Sequence, residues 1–218
     1  PPKFHHTRIF HAHGLTKKWQ EKFTQTGNLY RESVPHLPLY YERVREGDLF
    51  AINQENWQVL SGFGHSPEHL MLFHAEKNIL IGGDMLLPRI STNVPVYPAT
   101  PLADSLGDFL GSLQKLSEVI NEKTLILPSH GMPFYGGLTR IKALFAHHEE
   151  RLAVLQEACE KPQCAANLLE ILFGREMSDV RQTLFAMGEA IAHLNHLETQ
   201  QKLKRSVDAN GVFHFVAQ

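Results

Sequence analysis

Three residues carry the chemistry that this sequence offers most plainly: His65 in GFGHSPEH, Asp84 in ILIGGD and His130 in LILPSHG. Each stands at the end of a short apolar run that reads as a buried strand. In layered α/β domains the strand ends are where sites are assembled. Two imidazoles and a carboxylate are ligands suited to zinc, iron or manganese. Gly82 and Gly83 would let backbone and metal approach closely ahead of Asp84, and Pro128 and Gly131 would fix the turn that presents His130. Singly, each has an ordinary alternative: a loop histidine that hydrogen-bonds at the surface, or an aspartate that shapes a turn. The metal reading comes from three such groups gathered at strand ends of one domain. His69, four residues after His65, is a candidate for supporting the site or its substrate. Arg89, Ser91, Asn93 and Tyr97 lie in the stretch after Asp84 and are candidates for substrate contact, an ordinary proline-rich surface loop being the alternative.

The elements that must position these groups can be read from periodicity. WQVLSGF alternates large apolar with small or polar residues and predicts a strand; LMLFH and ILIGG predict two more, with a turn at Asn78. Residues 88–101 hold four prolines and predict a surface loop. Leu106, Phe109, Leu110, Leu113, Leu116, Val119 and Ile120 recur at helical spacing, with Asp104 as the cap. TLILP is a further short strand. Upstream, residues 3–26 predict helix broken at Gly14, with Thr16 as a cap, and 27–48 predict irregular chain. From about residue 140 the pattern is helical: IKALFAHHEERLAVLQEAC, AANLLEILF, and a third helix opened by Ser178. KRSVDANGVFHFV closes the chain as a hairpin turning at Asn210-Gly211. The expectation is an α/β layered domain over 1–145 and a small, mostly helical winged-helix-like domain over 146–218.

Composition excludes several classes. The chain has 218 residues, 43% hydrophobic and 20% charged, with a formal net charge of -2. That charge argues against a nucleic-acid footprint or binding to an anionic membrane surface, and no apolar run approaches the ~20 residues of a transmembrane helix. Only Cys159 and Cys164 occur, at no zinc or redox spacing, which fits a reducing, cytoplasmic setting. Of the fourteen histidines, His193 and His196 share a helix face and His147 and His148 are neighbours; both pairs read as helix packing rather than ligands.

GHSPEH, then GGD with its aspartate nineteen residues after His65, then PSHG with its histidine forty-six after Asp84, resembles the metallo-β-lactamase-fold hydrolase superfamily. LPRISTNV after the aspartate, followed by the HHEERL helix, a further helix and a hairpin, is similar to a bacterial branch carrying a C-terminal winged-helix-like domain. The resemblance implies an αββα sandwich, of which this chain would hold the C-terminal half. It also implies a two-metal site, zinc with iron or manganese as alternatives, in which His65 is the third histidine of the first site, Asp84 the bridging carboxylate and His130 the last histidine of the second. His69 falls beside the metals without ligating them. The family's H-x-H-x-D-H signature is absent; HAHG at 11–14 has the right start, but Leu15 and Thr16 stand where Asp and His are needed. Together with an opening Pro1-Pro2-Lys3 without Met, this leads to the expectation that the first half of the hydrolase domain, with four ligands, is missing.

The implied activity is attack of a metal-activated hydroxide on an ester, thioester, amide or phosphodiester of a small-molecule substrate. This chain alone is expected to bind metal weakly, to hydrolyse little, and to self-associate through an exposed sheet face and open strand edges. Two alternatives are a nuclease of the same fold and a non-catalytic winged-helix binding module. The last long helix, DVRQTLFAMGEAIAHLNHLETQQ, has one Arg against three acidic residues before its final turn, which argues against phosphate binding.

Overall fold

A computed structural model describes residues 5–25, 34, 36 and 38–218. The expected irregular segment at 27–48 therefore lies partly outside the described residues. The chain divides into two compact units: one from residues 42–94 and 105–150, the other from residues up to 41, 95–104 and 151–218. Residue 146, where the sequence reading begins a second domain, lies inside a helix that continues past it.

In the first unit, a five-stranded sheet is built in chain order from β1 (Leu49–Ile52), β2 (Glu55–Gly62), β3 (His69–His74), β4 (Ile79–Gly83) and β5 (Leu125–Pro128). The first three pairings are antiparallel and joined by short turns. β4 and β5 run parallel, which requires a long crossover. That crossover contains α3 (Ser105–Val119). Register places Gln58, Phe73, Leu80 and Ile126 in one row across β2–β5, with Leu60 beside Met71 on the same face. The apolar members of this face are buried, as are Leu106, Phe109, Leu113 and Leu116 of α3, which packs against β2. Burying each such side chain is worth about 1.5–3 kcal/mol. On the opposite face Phe50, Ile52, Leu70 and Ile81 remain at least one third exposed.

β1 was not anticipated. LFAI is exposed at all four positions, so it lacks the buried alternation that marks a strand. Its turn is made by Asn53 and Gln54, both at positive φ, rather than by an Asn-Gly pair. β3 begins at His69, so that histidine is a strand residue and not a loop residue. α4 (Gly137–Ala158) starts in this unit, where Arg140, Ile141 and Leu144 sit in its first turns.

The second unit contains α1 (His5–Ala12), α2 (Lys17–Gln25), the last turns of α4, α5 (Ala165–Phe173), α6 (Val180–Thr199) and the hairpin β6 (Leu203–Val207) with β7 (Phe213–Ala217). α6 is capped by Asp179, whose carboxylate accepts the Gln182 N–H at 2.8 Å; the expected opening at Ser178 is off by one residue. Asp208 shapes the hairpin loop by accepting the N–H groups of Asn210 and Val212. Among the described residues no helix is long and apolar enough to cross a membrane.

Candidate active site at the strand ends

Asp84 follows β4 directly, His65 lies in the loop after β2, and His130 follows β5. The structure brings all three together. His65 Nε2 is 3.4 Å from one carboxylate oxygen of Asp84, and His130 Nε2 is 3.6 Å from the other. Parallel pairing of β4 with β5 is what carries residues 84 and 130 to the same end of the sheet. The side chains of His65 and Asp84 are 26% and 28% exposed and that of His130 is 67% exposed, so a small molecule can reach the carboxylate from solvent. Ser129, which the sequence reading did not single out, donates its hydroxyl to the Asp84 oxygen that faces His130. Its signal was only its place beside His130.

His65 is held in one tautomer. Its Nδ1 is 2.8 Å from the backbone oxygen of Asn93; a carbonyl can only accept, so in the neutral imidazole Nδ1 is the protonated nitrogen and Nε2 the one with a lone pair. That lone pair and the Asp84 carboxylate face one another as two acceptors, an arrangement that favours a cation between them. In donor type and tautomer the cluster suits a transition metal. In number it does not close around one: among the described residues no group of three or more His, Cys, Asp or Glu is arranged to hold a metal ion.

His69 plays a different part from its neighbours. Its Nε2 accepts the backbone N–H of Asp84 at 3.2 Å, and its ring stands edge-on to His65 at 5.7 Å. Burial, and then the neighbouring His65, hold its imidazole below the usual histidine range. The same ring explains Gly83. This residue has φ +53°, and a Cβ there would lie 2.3 Å from His69 Nε2, so the glycine makes room for the His69 ring. Gly82 has no such constraint; a Cβ there would meet only ordinary contacts. Gly131 turns at φ +87° against Pro88.

The four candidate substrate residues separate. Arg89 is exposed, Ser91 and Asn93 are half-buried, and Asn93 offers its carbonyl to His65 while its side-chain oxygen is buried without a hydrogen-bond partner among the described residues. Tyr97 belongs to the segment 95–104 of the other unit, and burial raises its phenol pKa. His11 is exposed and His13 fully buried, so HAHG does not present a pair of ligands. His193 and His196 are both buried in α6, the first bonding the Glu189 carbonyl and the second the Asp104 carboxylate. Cavities among the described residues are lined by residues other than the cluster. One of about 400 Å³ is lined in part by Leu15, Trp19, Leu169 and Met177; one of about 260 Å³ opens beside α3 among Leu60, Phe63, Met71 and Leu116.

Two family models match the sequence. "Metallo-beta-lactamase superfamily" covers residues 2–130 and thus all of the strand-end cluster. The chain belongs to the metallo-beta-lactamase superfamily. A second, "Metallo-beta-lactamase-like, C-terminal domain", covers residues 152–218. The chain is similar to a "Beta-lactamase domain protein" from Burkholderia ambifaria, with 44% identity and a TM-score of 0.89 over 96% of this chain and 60% of that one. It is also similar to the "metallo-beta-lactamase family protein TTHA1429" from Thermus thermophilus, at 26% identity and a TM-score of 0.78, over 97% of this chain and 63% of that one. A "Probable metallo-hydrolase YqjP" from Bacillus subtilis is 29% identical over 164 residues, which is 73% of this chain and 50% of the relative. The chain therefore spans about half to two thirds of the length of these relatives.

Proposed function

We propose that the protein is a metal-dependent hydrolase whose strand-end cluster supplies part of the metal site. The observation that carries this reading is the Asp84 carboxylate flanked at 3.4 and 3.6 Å by the Nε2 atoms of His65 and His130. His65, Asp84 and His130 would hold the metal, zinc first and iron or manganese as alternatives. A bound metal supplies a water of lowered pKa and a positive charge for a developing oxyanion. His69 and Ser129 keep Asp84 in place, His69 through the backbone N–H and Ser129 through one carboxylate oxygen. The exposed side of the cluster takes a small-molecule ester, thioester, amide or phosphodiester, with Arg89, Ser91, Asn93 and Tyr97 as candidate contacts.

Three donors without a closed cage imply that this chain holds metal weakly and turns over slowly by itself. The helices and hairpin after residue 151 read as a winged-helix-like accessory module, and the protein as cytoplasmic. The exposed apolar face with Phe50, Ile52, Leu70 and Ile81, together with the short β1 at the end of the sheet, supports self-association of the chain; light scattering that gives a monomer at all concentrations would rule this out. The direct test of the hydrolase reading is zinc titration of the chain and of a His65→Ala, Asp84→Ala, His130→Ala triple variant, with an ester and phosphodiester panel assayed in parallel. Zinc affinity and zinc-dependent turnover that both vanish in the variant support the reading; equal zinc affinity in both proteins removes it.

A further inference from the structure

We infer that Arg140, on the first turns of α4, is a positioning residue that sets the tautomer and orientation of His65 through the loop after Asp84. The inference deepens the hydrolase reading of the site, and rests on it only for the effect on turnover.

The loop from Met85 to Val94 carries no strand or helix, so no backbone ladder holds its carbonyls. Arg140 replaces the ladder. Its Nε donates to Leu87 O at 2.7 Å, and one terminal nitrogen donates to Arg89 O at 3.1 Å and Ile90 O at 2.8 Å. A planar guanidinium has the donors and the fixed fork to bind three carbonyls at once; a lysine ammonium is a single point. Two further bonds tie the far end of the loop to the site. Thr92 donates its hydroxyl to Asp84 O at 2.5 Å, and Asn93 O receives the Nδ1–H of His65. The loop is therefore pinned on one side by Arg140 and on the other by Asp84 and His65, two of the three residues of the cluster. Leu86, Leu87 and Val94 are fully or almost fully buried and anchor the loop ends, so the guanidinium acts on the stretch between them. If that stretch drifts, the Asn93 carbonyl leaves His65, and the preference for the proton on Nδ1 over Nε2 is lost.

The experiment uses the full chain, labelled with ¹⁵N, near neutral pH and without added metal. Long-range ¹H–¹⁵N correlation reads the His65 tautomer, assigned by its loss in His65→Gln. Amide exchange is followed at Thr92–Val94 and, as a control, at Leu80 and Ile126 in β4 and β5. Expected are an Nδ1–H tautomer in the parent, a mixed or Nε2–H tautomer in Arg140→Met with exchange at 92–94 about ten-fold faster, unchanged protection at Leu80 and Ile126, and partial return in Arg140→Lys. An Nδ1–H tautomer and unchanged exchange in Arg140→Met overturn the inference. So does loss of protection at Leu80 and Ile126 in both variants, because Arg140 would then be supporting the fold rather than the loop. A parent chain that shows no zinc-dependent hydrolysis counts against the hydrolase reading and leaves the tautomer result to be judged separately.

Discussion

His65 and His130 in one unit each direct a ring nitrogen at the Asp84 carboxylate while staying open to solvent, whereas His13 in the other unit is fully buried and neither of its ring nitrogens has a hydrogen-bond partner among the described residues. His13 meets the ring of Phe213 edge-on at 5.1 Å and stacks on that of Phe215 at 5.9 Å, and the Arg205 guanidinium covers the same two phenylalanines at 5.2 and 5.3 Å. Burial, assisted by the Arg205 charge, lowers its pKa to about 3. It serves as a flat neutral ring in an aromatic stack. One residue type thus does two jobs, and the difference is what the ring nitrogens face: an acceptor in an open strand-end cluster, or hydrocarbon.

The comparison breaks most visibly with pH. The folded pKa of His13 is depressed below the ordinary 6.5, so its neutral form is fully compatible with folding above that pH, and stability is lost as pH falls from 6.5 toward 3. The expected loss is about 1 kcal/mol for each pH unit, several in all, read by urea denaturation across that range. His13→Phe should flatten the slope; an unchanged slope would mean that His13 is not the group responsible. The strand-end unit responds to a different perturbation. Asp84→Ala should weaken zinc binding by about 100-fold or more and leave the metal-free melting temperature nearly unmoved, as competition with a chromophoric chelator and a thermal melt would show. Loss of stability with unchanged zinc affinity would reverse the assignment.

Glu189 on α6 supplies the opposite sign within the buried unit. Burial raises its pKa to about 7, Arg151 pulling the other way. A raised carboxyl contributes stability that is present below about 4.5 and is lost as pH climbs from 4.5 through 7. Glu189→Gln, which keeps the shape and removes the titration, should make the protein about 1–2 kcal/mol more stable above pH 7 relative to the parent; a variant that is less stable there would show that the carboxylate is paired after all. The smallest effect is expected at Ser129, where Ala removes one hydrogen bond to Asp84 and costs about 1 kcal/mol or less. That change should appear in zinc affinity before it appears in thermal stability.

Much of this arrangement was legible in residue order. Val59, Leu60, Met71, Phe73, Leu80 and Ile126 alternate or cluster as buried strand residues do, and Leu106, Phe109 and Leu113 recur at helical spacing; both patterns are local and can be read along the chain. β1 escaped because an exposed strand has no alternation to read. The start of α6 moved from Ser178 to Asp179 because two capping residues stand side by side and only geometry chooses between them.

The chemistry divides along the same line. Residue types and spacing by themselves placed His65, Asp84 and His130 at strand ends and carried the membership of the superfamily, because a ligand must have the right donor atom and a strand end is a local feature. Tertiary structure alone decided that His69 holds the Asp84 backbone, that Gly83 is small because of His69, that Arg140 grips the carbonyls of residues 87, 89 and 90, and that His13 is a buried spacer. Those interactions join atoms far apart along the chain or depend on which way a ring turns. No periodicity in the sequence records a ring's orientation; the folded path of the chain sets it.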